Sequence, residues 1–349
     1  MFKNMENVQK SGDEMVDNAV WITWEYQVRN RNLSNALKVP LVEFDFDDYH
    51  RIVRYFFCTL ATIKLLLVRK PRIVIHQSPS IFLAMLIAML RPIFKYKVVM
   101  DVHNAGVRPA EGKYKILNWL ARFSLKRADL VIFHNNIVAS SVPDVQRNRV
   151  IVLADPLPAA DLRSGSSVHS THEKFKVLFI CRWAEDEPYE EVLKAASVLA
   201  KGDYKIEITC TGKVPSKVLS QSMPVNVCLA GFVSNTEYSA LLNSTHCVLA
   251  LTTRKDSLNC AAYEGMAHEK PTILSNSPLL KRFFGMGYLY TDNNASDIVT
   301  NILVARDDFE RLSQHIRAKK KMYQESYSKE INNLECSISS LMSKVDNRE

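Results

Sequence analysis

Asp256 and Glu264 stand with seven residues between them, Ser257-Leu258-Asn259-Cys260-Ala261-Ala262-Tyr263. The apolar run Val248 to Leu251 reads as a strand end, and Thr252 to Ser257 reads as a polar loop. Ser257 or Asn259 can cap a helix through Cys260, Ala261, Ala262 and Met266, which Lys270-Pro271 stops. A helix start carries unpaired N–H groups and a partial positive charge, a seat suited to a diphosphate. The carboxylates lie on either side of that start, too far apart for one acid/base dyad. They are placed to hold two hydroxyl-bearing groups, one on each side of a phosphate.

Further candidates follow other apolar runs. Arg182 comes directly after Phe175 to Cys181, and Lys213 follows the run Lys205 to Cys210. Both are cations at strand ends, where a phosphate would sit. Lys213 is expected to share that load with Arg182. His103 lies in Asp101-Val102-His103-Asn104, just past the run Lys97 to Met100. The carboxyl end of a parallel strand is a usual place for chemistry. Arg29 and Arg31 follow the first strand; they read either as acceptor contacts or as surface arginines at a helix start.

The elements that must position these groups alternate. Strands are expected at 19–23, 39–46, 72–76, 97–100, within 128–135 and at 150–153, with helices near 33–37, 51–70, 80–90 and 118–126. After Asp155-Pro156-Leu157-Pro158 the pattern restarts with a strand at 175–181 and a helix at 190–201. Strands follow at 205–210 and 225–229, then a helix at 236–242 capped by Asn235, and a charged helix over 307–342. Alternating strands and helices imply an α/β fold of two Rossmann-like domains facing a cleft. The expected division is a flexible leader over 1–18, a first Rossmann-like domain over 19–155, a linker over 156–174, a second Rossmann-like domain over 175–305 and a helical segment over 306–349. No GxGxxG occurs, which argues against a nicotinamide cofactor.

The 349 residues suffice for two domains, and 47% hydrophobic content argues against global disorder. Seven cysteines without a CxxC pair fit a reducing compartment, hence a cytoplasmic location, and exclude a zinc ribbon. The net charge of +8 is concentrated: Arg51 to Arg127 holds 15 Lys/Arg against Asp101 and Glu111. That half reads either as a solvated basic face or as a seat for an anionic partner: nucleic acid, for which no motif speaks, or an anionic membrane surface or lipid diphosphate. The apolar stretch Ser80 to Leu90 is too short to span a bilayer. It reads as a buried helix, with an in-plane membrane helix as the alternative.

Asp256-x7-Glu264, followed by Gly265-Met266-Ala267 and Lys270-Pro271, resembles the acidic signature of family 4 (group 1) glycosyltransferases of the GT-B fold, usually Glu-x7-Glu. Asp101-Val-His-Asn104 and Trp183-Ala-Glu-Asp-Glu-Pro188 resemble motifs of the dolichol-linked β-mannosyltransferases. The resemblance implies a metal-independent hexosyltransferase with no resident cofactor and a nucleoside-diphosphate sugar as co-substrate. It implies that His103 and Asp256 orient the sugar, that Arg182, Lys213, Ser257 and the N–H groups of Leu258, Asn259 and Cys260 face the phosphates, and that Glu264 holds the ribose. Arg29, Arg31, Asn104 and Arg108 fall on the acceptor side. The acceptor would be a glycan or lipid-diphosphate-linked glycan of cell-surface polysaccharide assembly, met as a peripheral enzyme on the inner face of the plasma membrane. Family 4 implies retention at the anomeric carbon and the dolichol-linked enzymes imply inversion, so the stereochemistry stays open. The family usually has Lys five residues past the position of Arg182, where this chain has Glu187. The second reading, supported by Asp256 and Glu187, is a non-catalytic GT-B-like subunit that binds a membrane or glycan.

Overall fold

The computed structural model describes residues 18–346 except 47, 79, 108, 143–144, 159–173, 203 and 256. Most of the expected leader and linker therefore lies outside the described residues. So do Asp256 and Arg108. The chain divides into two compact units, Met1–Pro156 with Ser326–Glu349, and Leu157–Glu325.

The first unit runs β1 (Ala19–Thr23), α1 (Val28–Ala36), β2 (Leu41–Glu43), α2 (Arg51–Arg69), β3 (Ile73–Ser78), α3 (Ile81–Phe94) and β4 (Lys97–Val102). It continues with α4 (Asn104–Val107), α5 (Lys115–Arg127), β5 (Leu130–Phe133), α6 (Asn136–Ser140) and β6 (Val150–Val152). The six strands are parallel in the order β2-β1-β3-β4-β5-β6. Strands β1, β3 and β5 are buried along their whole length, as central parallel strands rich in Val and Ile must be. One sheet face packs on α2, α3 and α5 through Leu66, Leu83, Ile87 and Leu125. The other packs on α1 through Leu33 and Leu37, and on the end of the chain's last helix through Ile331, Leu334 and Ile338.

The helix expected to close at Arg91-Pro92 instead runs on to Phe94. Pro92 falls in the last turn, where only one backbone bond is lost. The end is then closed by Lys95 in the left-handed region (φ 59°), whose N–H donates to the Arg91 carbonyl at 2.8 Å.

The second unit runs β7 (Phe175–Phe179), α7 (Tyr189–Lys201), β8 (Ile206–Thr211), α8 (Ser216–Leu219), β9 (Val227–Gly231) and α9 (Asn235–Ser244). There follow β10 (Cys247–Ala250), α10 (Cys260–Ala267), β11 (Thr272–Ser275), α11 (Pro278–Phe283), β12 (Tyr288–Thr291) and α12 (Ala295–Asp307). The last helix, α13 (Phe309–Asp346), has 38 residues. The parallel sheet has the order β12-β11-β10-β7-β8-β9. The strand order reverses between β7 and β10, so the loops after those strands diverge there and leave room for a ligand. Helix α9 is capped by Ser234 rather than Asn235: the Ser234 hydroxyl accepts from the Glu237 amide, and the Glu237 carboxylate accepts from the Ser234 amide.

His76 lies on β3 in the middle of the first sheet and is 1% exposed. Burial lowers its pKa from 6.5 to about 4, so the folded state keeps it neutral while the unfolded chain protonates it. Its contribution to stability is full above the unfolded pKa of 6.5 and is lost as pH falls toward about 4. Going from about pH 7 to about pH 5 should cost the first unit about 2 kcal/mol. Urea unfolding of the whole chain and of His76→Val at both pH values checks this: the variant should have the flatter pH dependence.

Candidate functional site

In the second unit the loops beyond β7, β8, β10, β11 and β12 are tied to one another. Trp183 adopts φ 63° and donates from Nε1 to the Thr211 carbonyl at 2.8 Å. Gly212 has φ 82°, and a Cβ there would lie 2.2 Å from the Cys181 carbonyl oxygen, so only glycine fits beside the β7 loop. Glu187 accepts from the Arg182 amide at 2.7 Å and from the Ala184 amide at 3.1 Å. This carboxylate, which the sequence suggested as a replaced cation, is the latch that shapes the loop. Asp186 joins the β7 and β10 loops: its carbonyl accepts from the Thr253 amide at 2.7 Å, and its carboxylate pairs with Arg254 at 2.9 Å. Thr252 donates its amide to Ser275 Oγ, Ser275 donates to Asn293 Oδ1, and Asn293 Nδ2 returns to the Thr252 carbonyl.

On this frame the Arg182 side chain is 75% exposed, with Glu187 at 3.7 Å. Lys213 is also exposed. Asn259 is the N-cap of α10, and its Oδ1 accepts from the Ala261 amide at 3.0 Å. The Ala262 amide donates to the Asn259 carbonyl. The cap therefore takes an amide one residue beyond the three expected to face phosphate, at Leu258, Asn259 and Cys260. Ser257, the other candidate cap, is half-buried and does not cap the helix. Gly265 lets α10 approach β11, since a Cβ there would meet Thr272 Oγ1 at 2.1 Å.

Glu264 lies one turn along α10 and accepts a short hydrogen bond from the Tyr238 hydroxyl of α9. Burial raises its pKa, and Tyr238's donation works in the opposite direction. Tyr238 was not foreseen: the partners are 26 positions apart, and only the fold brings α9 to α10. Among the described residues, no group of three or more His, Cys, Asp or Glu is placed to hold a metal ion.

In the first unit His103 follows β4 and stacks on His134, with ring centroids 5.6 Å apart and 17° between planes. Burial, and His103 beside it, lower the pKa of His134. A buried chain of polar groups sets the tautomer of His103. Thr23 Oγ1 donates to the Glu25 carbonyl at 2.8 Å, so it accepts from Asn30 Nδ2 at 3.2 Å. Asn30 Nδ2 also donates to Gln77 Oε1 at 2.8 Å. Gln77 must then turn its NH₂ toward His103 Nε2, 2.8 Å away. The ring accepts at Nε2 and carries its proton on Nδ1. Asp101 Oδ2 lies 3.7 Å from the same nitrogen, beyond hydrogen-bond reach.

Arg29, expected on the acceptor side or at the surface, is turned inward. It is 7% exposed, and all five of its N–H groups are spent inside the unit. Nε and Nη2 donate to Asp101 at 3.0 and 3.1 Å, and Nη1 donates to Asp155 at 2.6 Å. The carbonyls of Leu153 and Ala154 take the remaining two at 3.0 and 3.1 Å. Arg31 is half-exposed and forked onto Glu43, with its guanidinium 4.3 Å from the Tyr26 ring centroid. Asn104 begins α4.

Residues 166–322 match the family model for Glycosyl transferases group 1. No curated protein matches the chain. Among solved structures, HepE of Anabaena, determined with UDP and glucose, superposes with a TM-score of 0.65 at 11% identity, over 93% of this chain and 99% of HepE. The lipopolysaccharide outer core galactosyltransferase WaaB gives 0.60 at 12%, over 90% of this chain and 98% of WaaB. A putative UDP-N-acetylglucosamine 2-epimerase of Listeria monocytogenes gives 0.55 at 10%, over 86% of this chain and 90% of that one. Such identities speak for fold alone. None of these comparisons points to the dolichol-linked mannosyltransferases. The chain has the GT-B fold, and its second unit carries the sequence signature of the group 1 glycosyl transferases.

Proposed function

We propose that the protein transfers a sugar from a nucleoside-diphosphate donor to a hydroxyl of a glycan or lipid-linked glycan, in cell-surface polysaccharide assembly. The observation that carries this reading is the second unit's switch point. There the group 1 match coincides with an exposed Arg182, the start of α10 and a half-buried carboxylate at Glu264. In the reaction the bond from C1 of the sugar to the phosphate oxygen breaks as the acceptor oxygen bonds to C1 and loses its proton. Negative charge then grows on the departing diphosphate. Arg182, with Lys213 beside the next strand end, offsets that charge together with the amides at the start of α10. Glu264, oriented by Tyr238, accepts from the ribose hydroxyls. HepE was solved with UDP-glucose, which makes UDP-sugars the first donors to try.

The test is a panel of UDP-, GDP- and dTDP-sugars, followed for release of the nucleoside diphosphate. One donor should be hydrolysed slowly without acceptor and consumed faster with a lipid-diphosphate glycan. Arg182→Ala should lose both activities. Binding of a nucleotide with no turnover of any donor would favour a non-catalytic subunit, and conversion of one free nucleotide-sugar to its epimer would favour an epimerase.

A further inference from the structure

Helices α2, α3 and α5 pack side by side on one face of the first sheet. Their inward residues share one core, and Tyr55 of α2 meets Phe82 of α3 at 5.0 Å between ring centroids. Arg91 of α3 donates to the Arg127 carbonyl at the end of α5. A helix on the surface of a globular unit normally turns polar residues to water. These three do not.

At 100° per residue, Ile52, Phe56, Leu60 and Leu67 of α2 fall opposite the buried Cys58, Thr62 and Leu65. The four are 74, 60, 49 and 56% exposed. On α3, Phe82, Met89 and Ile93 fall opposite the buried Leu83, Ala84 and Ile87, and are 50, 56 and 70% exposed. On α5, Ile116 and Trp119 fall opposite Ala121 and Leu125, at 75 and 59%. One layer thus presents a second apolar surface, larger than scattered surface hydrophobics account for.

The charge on the same layer has one sign. Across Arg51–Arg69, Ile81–Phe94 and Lys115–Arg127 there are nine Lys/Arg and no Asp or Glu. Lys115, Arg122 and Lys126 lie on the outward side of α5, around Ile116 and Trp119, and are exposed. A second copy of this chain would bring exposed cations against exposed cations, so self-association through this face is opposed. An oligonucleotide would satisfy the cations and leave the aliphatic stripe in water. An anionic bilayer satisfies both, because phosphate headgroups meet the cations while Ile, Phe and Trp side chains enter the acyl boundary.

We infer that the outer face of α2, α3 and α5 docks in the plane of an anionic lipid bilayer. No described helix is long and apolar enough to cross a membrane, so the contact is interfacial. This inference does not depend on sugar transfer, although a lipid-linked acceptor would be met at the same surface.

The experiment is flotation of the full chain with vesicles of phosphatidylcholine alone and of phosphatidylcholine with phosphatidylglycerol, without any donor. Binding is expected only to the anionic vesicles and should weaken with added salt. Trp119→Glu on α5 and Phe56→Glu on α2, two exposed positions on separate helices, should each lower partitioning by about tenfold or more. Lys115→Gln with Arg122→Gln should do likewise, because each surface cation contributes about a factor of five. Circular dichroism melts should match the parent, and hydrolysis of a soluble donor should be unchanged, which separates this outcome from failure of the transferase reading. Equal binding to both vesicle types, no binding to either, or unaltered binding by both apolar variants overturns the inference. So does a dimer in solution that Trp119→Glu dissociates, or capture by DNA in place of vesicles.

Discussion

Arg29→Met is expected to destabilise the first unit by about 3–5 kcal/mol, because it strands a buried carboxylate. Asp101 is fully buried, and burial by itself would raise its pKa. The charge of Arg29, the neighbouring His103 and the hydrogen bonds from Arg29 outweigh that and hold the carboxyl well below its usual range. Without the guanidinium, Asp101 must either take up a proton or stay charged in an apolar core. Asp155 and the carbonyls of Leu153 and Ala154 lose their partner as well. Arg29→Lys should recover only part of the loss, since three donors on a point charge cannot replace five in a planar fork.

The pH dependence has a definite sign. With a depressed folded pKa, the Asp101 contribution is full above its unfolded value of 3.8 and disappears as pH falls below it. Urea midpoints for the parent and both variants, at neutral pH and in acid, measure this. If Arg29→Met kept the parental midpoint and instead lost affinity for an acceptor, the structural role would be wrong.

Glu264→Ala is expected to lower kcat/KM for the donor by about tenfold to a hundredfold, the worth of a hydrogen bond to a charged group. The effect should fall mainly on KM if Glu264 grips the ribose equally in the ground and transition states. Tyr238→Phe offers a sharper readout. Tyr238 donates to the carboxylate and so favours its ionised form against the burial that raises its pKa. Removing that hydroxyl moves the pKa of Glu264 further up. The acid limb of the pH profile of kcat/KM should then shift to higher pH in the variant, while activity at high pH is largely kept. An unmoved acid limb would show that Glu264 is not the group whose ionisation the donor requires.

Period and punctuation made the alternation of strands and helices readable. Arg51–Arg69 comes out of an amphipathic run ended by Lys70-Pro71, and the buried strands come out of unbroken Val and Ile. The Asn259 cap was also legible, because a cap is a local interaction. Side chains whose partners lie far along the sequence were not. Arg29 looked like a surface arginine because Asp101 and Asp155 are 72 and 126 residues away. Glu187 looked like a lost phosphate ligand because nothing local shows its carboxylate folding back on the amides of Arg182 and Ala184. Gln77, which sets the proton on His103, carries no sequence signal: it sits in an apolar strand, and its role exists only once β3 lies between β1 and β4.

Helix α13 has a consequence for how the chain is made. Ile331, Leu334 and Ile338 cover one face of the first sheet, yet they are synthesised some 180 residues after its last strand, β6. At roughly 5–20 residues per second, that face waits on the order of ten to forty seconds on the ribosome before its lid emerges. The amino-terminal half is therefore the last to mature, and a nascent chain stalled before residue 331 would offer its exposed sheet to chaperones and proteases.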